Sequence, residues 1–204
     1  MIAIVDYGVG NLFSLKSSFA AIGAEAVVTS DPAELRAAER VILPGVGAFE
    51  DAARKLRGSG LAEPLLEEVG RGKPLLGICL GMQLLFEKSF EYGEHQGLGL
   101  ISGVVRSIAE VIPEGLKIPH IGWNALHMAG DCPLFANTPE GSYVYFVHTF
   151  AAFGCDADVT ARTEYGVELT AAVARDNVCG CQFHPEKSGD VGLGILRAFC
   201  ELPC

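Results

Sequence analysis

The chain has 204 residues, of which 50% are hydrophobic and 20% charged, and its formal net charge is −10. This length suits one α/β domain, so we take residues 1–204 as a single domain. The negative charge argues against nucleic acid or an anionic membrane as a partner. No apolar run is long enough to span a bilayer, and seven irregularly spaced cysteines do not suggest a disulfide framework. We therefore expect a reduced, cytoplasmic protein.

The first half of the chain predicts strands that alternate with helices. Apolar strands are expected at residues 2–6, 26–29, 41–43 and 73–76, and helices at residues 11–22, 30–35, 49–56 and 82–88. Continuous apolar strands are typical of a parallel sheet that helices cover on both faces. The glycine turn after the first strand lacks the third glycine of a dinucleotide-binding motif, so that interpretation is disfavoured.

The second half predicts a different arrangement. Short strand-like runs at residues 98–105, 143–148, 167–174 and 178–183 are separated by turn residues, and a last helix is expected at 191–200. We therefore predict an α/β fold with an open, mostly parallel sheet, a mixed or antiparallel extension, and flanking helices.

Cys79 is the candidate nucleophile, within the run Gly77-Ile78-Cys79-Leu80-Gly81 between a predicted strand and a predicted helix. A nucleophile at such a tight joint needs small flanking residues, and Gly77 and Gly81 supply them. The N–H groups at the start of the helix favour a thiolate over a thiol. A buried structural cysteine is the alternative interpretation.

His184 and Glu186 are the candidate base and orienting acid, in the run Gln182-Phe183-His184-Pro185-Glu186. Pro185 favours an extended backbone at His184, and in an extended chain side chains two residues apart lie on the same side. Together with Cys79 this predicts a catalytic triad. The acid follows the histidine, which disfavours an α/β-hydrolase.

Two further features bear on the chemistry of the site. The Leu80 N–H and the loop that contains Val46 and Gly47 are candidate oxyanion donors, although an ordinary turn explains that loop equally well. Cys179 and Cys181 lie on one face of a predicted strand, but no second ligand pair accompanies them, so we expect no metal.

Six motifs resemble those of a known family. Residues 77–83 and 182–188 are similar to motifs of the class I glutamine amidotransferases, whose fold is flavodoxin-like. The resemblance narrows to the glutaminase subunits of imidazole glycerol phosphate synthases because of four further motifs, at residues 4–12, 43–47, 119–124 and 145–150. The similarity extends over essentially the whole chain.

The resemblance implies that Cys79, His184 and Glu186 hydrolyse glutamine through a γ-glutamyl thioester, without a cofactor. Ammonia would pass to a (β/α)₈ cyclase subunit in a heterodimer that serves histidine biosynthesis. The family pattern places substrate contacts at Gly45, Gln83, Glu91, Thr149 and Phe150, and the cyclase interface at Asn11, Trp123, Tyr145 and Lys187. Phe150 stands where the family usually has Tyr, so a contact through that hydroxyl would be lost.

Two alternatives to this interpretation remain. The chain could be the glutaminase of another amidotransferase pathway, which the motif at residues 119–124 argues against. It could also be a non-catalytic binding scaffold, which the intact triad argues against.

Overall fold

A computed structural model describes residues 1–203. The strands are β1 (Ile2–Val5), β2 (Ala26–Thr29), β3 (Arg40–Leu43), β4 (Leu75–Ile78), β5 (Phe86–Ser89), β6 (His95–Gln96), β7 (Ile101–Ser107), β8 (His120–Ala125), β9 (His127–Met128), β10 (Tyr143–His148), β11 (Phe150–Phe153), β12 (Val159–Glu164), β13 (Glu168–Arg175) and β14 (Val178–Cys181). The helices are α1 (Leu12–Ala21), α2 (Pro32–Ala37), α3 (Phe49–Gly58), α4 (Ala62–Gly70), α5 (Leu80–Leu84) and α6 (Gly189–Glu201).

The central sheet has eight strands in the order β2-β1-β3-β4-β14-β13-β12-β9. The strands from β2 to β14 are parallel, and β13, β12 and β9 extend the sheet in antiparallel fashion. This confirms the predicted open, mixed sheet. The pairing of β4 with β14 sets Ile78 beside Cys181, so the segments that follow these two strands leave the sheet side by side.

Helices cover both faces of this sheet with apolar side chains. On one face α3 and α4 bury Phe49, Leu56 and Leu65, and on the other α1 and α6 bury Phe19 and Phe199. Each of these side chains is at most 1% exposed. Truncating such a fully buried aromatic ring costs about 3–5 kcal/mol of stability.

Two smaller sheets complete the fold. Strands β8 and β10 form an antiparallel ribbon, and β11, β7, β5 and β6 form a four-stranded sheet in that order. The chain passes from the ribbon to the larger of these sheets at Thr149, which lies between β10 and β11.

The helix predicted over residues 82–88 is wrong in its second half. Helix α5 ends at Leu84, and Phe86–Ser89 forms strand β5. The carbonyls of Leu84 and Leu85 accept hydrogen bonds from Leu98 and Leu100 N–H, so this distant segment takes the acceptors that a longer helix would use. The sequence pattern also did not predict α4 or β12. Asn11 caps α1, because Ser14 N–H donates to its Oδ1 at 3.4 Å.

Candidate active site

Cys79 lies at the joint between β4 and α5, in the strained turn that the glycine pattern predicts. Its backbone has φ 55° and ψ −111°, a region that side-chain-bearing residues rarely occupy. A Cβ at Gly81 would lie 1.8 Å from the Leu43 carbonyl oxygen, and one at Gly77 would lie 2.7 Å from the Gly81 carbonyl oxygen. Glycine is therefore required on both sides of Cys79.

His184 and Glu186 meet Cys79 from the end of the neighbouring strand β14. His184 Nδ1 lies 2.8 Å from Glu186 Oε1, and the same ring interacts electrostatically with Cys79, with which it lines one cavity. Glu186 reaches His184 from a 3₁₀ turn at Pro185–Lys187, whereas the sequence suggested an extended segment. The structure thus brings the three predicted residues together, with both His184 and Glu186 side chains almost fully buried.

The charges around His184 favour its protonated form. Burial by itself lowers the pKa of this ring, but the hydrogen bonds with Cys79 and Glu186 and the negative charges of these partners outweigh it and raise the pKa to about 9. Near neutral pH the site can therefore hold an imidazolium beside the sulfur of Cys79, and that imidazolium is a proton donor for a leaving group.

The remaining cysteines that the structure describes are held as thiols. Burial raises the pKa of Cys179 to about 12 and raises that of Cys181 well above the usual range. Burial also raises the pKa of Cys132, Cys155 and Cys200. Since the thiolate is the nucleophile, these five side chains are poor competitors of Cys79.

The segment at residues 44–47 packs directly against the start of α5. A Cβ at Gly45 would lie 2.8 Å from the Gly81 nitrogen and 2.9 Å from Leu80 Cβ. The Tyr7 hydroxyl donates to the Pro44 carbonyl at 2.6 Å and fixes the beginning of the segment. Beyond it, Val46 is 43% exposed and Gly47 has φ +96°. Val46 and Gly47 thus line the same cavity as Leu80, and they are less enclosed than Gly45.

A cavity of about 390 Å³ opens in front of Cys79. It is lined by most of the predicted site residues, namely Val46, Gly47, Cys79, Leu80, Gln83, Glu91, Thr149, Phe150, His184 and Lys187. Gly45 and Glu186 stand behind these residues rather than on the cavity wall.

Glu91 and Gln83 are polar side chains buried in the cavity wall. Phe49 N–H donates to Glu91 Oε2 at 2.8 Å, and burial raises the pKa of this carboxyl. Gln83 Nε2 donates to the Phe150 carbonyl at 3.1 Å. Both side chains are less than 10% exposed, so their orientation is fixed before any ligand binds.

Gln182 is a site residue that the sequence did not single out. Its Nε2 lies 3.7 Å from Cys79 Sγ, and its Oε1 accepts a hydrogen bond from Gln83 Nε2 at 3.0 Å. The side chain is fully buried and connects the nucleophile to Gln83 of the cavity wall. The available signal was its position two residues before His184 at the end of a strand, which places both side chains on one side.

Three of the four predicted interface residues, Trp123, Tyr145 and Lys187, form a cluster beside the cavity. The rings of Trp123 and Tyr145 are 6.0 Å apart, and Lys187 Nζ lies 5.6 Å from the centre of the Tyr145 ring. Trp123, the only tryptophan of the chain, is 52% exposed. Asn11 serves as the cap of α1 and does not contribute to this cluster.

Over residues 1–203, no group of three or more His, Cys, Asp or Glu side chains is arranged to hold a metal ion. In the same range no helix is both long and apolar enough to cross a membrane.

Comparison with known proteins gives consistent matches along the chain. The family "Glutamine amidotransferase class-I" matches residues 3–201. A protein of Caldanaerobacter subterraneus subsp. tengcongensis named "Imidazole glycerol phosphate synthase subunit HisH" is 50% identical over 203 residues, which cover 99% of this chain and 98% of that protein. The protein of the same name from Sulfurimonas denitrificans is 52% identical over 204 residues, with 98% of each chain covered.

Solved structures support the same fold. A glutamine amidotransferase crystal structure superposes with a TM-score of 0.78 and 22% identity, covering 98% of both chains. PurLQS from Thermotoga maritima has a chain that superposes with a TM-score of 0.74 and 22% identity, covering 98% of this chain and 97% of that one. The full-length matches at about half identity decide the family: the chain belongs to the class I glutamine amidotransferases, among the HisH subunits of imidazole glycerol phosphate synthase.

Proposed function

We propose that this chain is the glutaminase subunit of an imidazole glycerol phosphate synthase and releases ammonia from glutamine for histidine biosynthesis. The observation that carries the proposal is the arrangement of Cys79, His184 and Glu186 beside the 390 Å³ cavity. Residues 1–204 would act as one glutaminase domain. We place it in the cytoplasm, in keeping with relatives that bear a biosynthetic enzyme's name and with the free thiols of the described cysteines.

The reaction would begin with attack of Cys79 Sγ on the side-chain amide carbon of glutamine. His184 then protonates the nitrogen, ammonia leaves, and a γ-glutamyl thioester remains on Cys79. In the second half His184 takes a proton from water, which attacks the thioester and releases glutamate. Glu186 accepts the Nδ1–H of His184, which keeps Nε2 directed at the reacting atoms. Glutamine and water thus give glutamate and ammonia.

Both halves pass through a tetrahedral oxyanion, which needs hydrogen-bond donors. Leu80 N–H is one donor, because the first N–H groups of a helix have no acceptor within it. The second donor would be the N–H of Val46 or Gly47, from the segment that packs against Leu80. A single such donor is worth on the order of a hundredfold to a thousandfold in rate.

The substrate's own charges would be held on the cavity wall. Glu91 is a buried acid that faces the cavity, and we assign the α-ammonium of glutamine to it. Gln83 and the backbones of Thr149 and Phe150 would hold the remainder of the amino-acid end, whereas Gly45, which stands behind the cavity wall, would support the segment that carries Val46 and Gly47. A backbone contact at Phe150 does not depend on a hydroxyl, so the absence of the family's usual Tyr is compatible with this assignment.

The partner would be a cyclase subunit with a (β/α)₈ barrel, which receives the ammonia in a heterodimer. Its docking face would include the cluster of Trp123, Tyr145 and Lys187, together with Asn11. The exposed Ile121 of β8, 58% accessible, extends this surface beside Trp123. Aromatic side chains that are exposed in one subunit are typical of the energetic centre of an interface.

We further propose that the cyclase switches the glutaminase on. Rotation of the peptide between Gly45 and Val46 would turn the Val46 N–H toward the oxyanion. Val46 is exposed and Gly47 has a positive φ, which makes this the part of the segment that is free to turn. Without the rotation the site would lack one donor and work about a hundredfold more slowly or worse.

The experiment compares glutamine turnover by the chain alone, with the cyclase, and with the cyclase and its nucleotide substrate. We expect a rise of at least about a hundredfold along the series. Val46→Pro removes the N–H and should flatten the series, whereas the matched variant Val46→Ala keeps the N–H and should preserve it. No glutamine hydrolysis in the full complex would refute the glutaminase assignment. Full activity of the isolated chain would refute the switch alone.

A further inference from the structure

A continuous row of hydrogen-bonding groups runs from the cavity wall into the protein. The Phe150 carbonyl lies 2.9 Å from His148 Nδ1, and His148 Nε2 lies 3.0 Å from His120 Nδ1. His120 Nε2 lies 2.9 Å from Asn124 Oδ1, and Asn124 Nδ2 donates to the Glu164 carbonyl at 3.0 Å. The two histidines are at most 5% exposed, and His148 lines the cavity, so the row begins at the cavity wall and leads away from it through His120.

The carbonyl at the inner end fixes the hydrogens on His148. A carbonyl oxygen only accepts, so Nδ1 of His148 must carry a hydrogen. Burial lowers the pKa of His148 to about 4, so the ring is neutral near pH 7 and its Nε2 is a lone pair. His120 Nδ1 must then carry the hydrogen between the two rings. His148 is thereby held as the Nδ1–H tautomer.

The outer end of the row is where a proton can be added. With Asn124 Nδ2 given to the Glu164 carbonyl, Asn124 Oδ1 faces His120 Nε2. A hydrogen on that nitrogen completes the contact but makes the His120 ring a cation, which burial opposes by lowering its pKa. An additional proton on His120 Nε2 therefore leaves the bond between His148 and Phe150 unchanged.

The His120 ring is also held in place by its neighbours. It stacks on Tyr165 with ring centres 4.0 Å apart and on Phe146 at 5.1 Å, with an interplanar angle of 18° in both pairs. Rotation of His120 would disturb both stacks. The ring that sets the tautomer of His148 is therefore itself fixed by packing.

The Phe150 carbonyl receives a second hydrogen bond from the other side of the site. Gln83 Nε2 donates to it at 3.1 Å, so one oxygen is held by a donor from α5 and a donor from β10. This carbonyl sits where the chain passes from the ribbon to the four-stranded sheet, next to Thr149. Fixing it sets the orientation of the cavity-lining backbone at Thr149 and Phe150.

We propose that His148 is a positioning residue for the glutaminase reaction: its Nδ1–H holds the Phe150 carbonyl, and so the backbone that receives the amino-acid end of glutamine, while His120 fixes its tautomer. This inference rests on the proposed function. His148 acts through Phe150 and need not touch the reacting atoms.

Two substitutions separate this role from simple filling of space. In His148→Asn the side-chain Nδ2 occupies the region of the ring Nδ1 and can still donate to the Phe150 carbonyl. In His148→Gln the longer side chain reaches toward His120 and leaves the Phe150 carbonyl with one donor fewer. Gln fills more of the imidazole volume than Asn does, so a packing role would favour it.

The assay measures KM and kcat for glutamine with the cyclase and its nucleotide substrate present. We expect KM to rise about fivefold to tenfold in His148→Gln and by no more than about twofold in His148→Asn, with smaller changes in kcat. Tenfold corresponds to ~1.4 kcal/mol, which is near the upper end of what one hydrogen bond contributes. Equal KM values, or a lower KM in His148→Gln, would overturn the proposal. If the wild-type complex hydrolyses glutamine in that case, the glutaminase assignment still stands.

A second measurement does not depend on the variants or on activity. Nitrogen-15 NMR of the wild-type protein at pH 7 distinguishes protonated from unprotonated ring nitrogens. We expect His148 to show a protonated Nδ1 and an unprotonated Nε2. The opposite tautomer would overturn the proposal even if both variants failed to fold.

Discussion

Gly45 offers the sharpest test of how the oxyanion segment is built. In Gly45→Ala the new Cβ would lie 2.8 Å from the Gly81 nitrogen, 2.9 Å from Leu80 Cβ and 3.0 Å from the Tyr7 hydroxyl oxygen. Two of these three distances are shorter than real Cβ contacts, and the backbone of Gly81 cannot swing aside as a flexible side chain would. The segment must therefore move away from the start of α5 by roughly half an ångström to restore ordinary contact.

That displacement has two measurable costs. Overpacking of a tight contact lowers the free energy of unfolding by about 1–3 kcal/mol. It also moves the proposed Val46 donor relative to Leu80 N–H, and losing one oxyanion donor costs on the order of a hundredfold in kcat. We expect kcat to fall between about tenfold and a hundredfold, because the donor is displaced rather than removed.

The assays are urea denaturation of the chain and glutamine turnover in the complex with the cyclase. Gly58→Ala is the matched control, since Gly58 is helical and exposed and its added Cβ would meet nothing within 4 Å. The control should keep its kcat and gain up to about 1 kcal/mol of stability from the helix preference of Ala. Unchanged stability and unchanged kcat in Gly45→Ala would show that the segment does not depend on this close contact.

Other predictions concern the triad. Cys79→Ala should abolish glutamine hydrolysis without loss of cyclase binding. In the wild type an electrophilic glutamine analogue should label Cys79, and mass spectrometry that finds the label on another residue would contradict the assignment. Glu186→Gln should lose less activity than His184→Ala at saturating cyclase, because a neutral amide oxygen can still accept the ring N–H; equal losses would mean that Glu186 does more than orient the ring. The pKa of His184 rises on folding from 6.5 to about 9, so its stabilising effect is complete below pH 6.5 and fades as pH rises through 9. The stability difference between wild type and His184→Gln, measured by urea denaturation, should therefore shrink from pH 6 to pH 9.5; a constant difference would contradict the raised pKa.

The parts of the site that the sequence predicted are those set by local geometry. Gly77 and Gly81 predict a tight turn because no larger residue fits at these positions. This prediction does not depend on how the rest of the chain folds. His184 and Glu186 are two residues apart, so their contact needs only a short segment. These features required no knowledge of strand pairing.

The parts that were missed depend on contacts between distant segments. The bond from Gln182 to Cys79 follows from the pairing of β14 with β4, and the contact of His148 with His120 follows from the pairing of β10 with β8. Helix formers at residues 85–88 wrongly predicted a continued helix, because hydrogen bonds from Leu98 and Leu100 to the end of α5 override local preference. Neither the side-chain contacts between paired strands nor the hydrogen bonds to the end of α5 can be predicted from one segment of the sequence.

The alternation of side chains along β8 limits how this strand can change over evolution. His120, fully buried, and Asn124 belong to the row behind the cavity, whereas Ile121 and Trp123 are 58% and 52% exposed on the other face. A single-residue insertion or deletion within the strand would exchange the two faces. It would bury an aromatic side chain and expose a histidine, and both faces of the strand would be disrupted. Substitutions at the outward positions can therefore accumulate while the number of residues between His120 and Asn124 stays fixed.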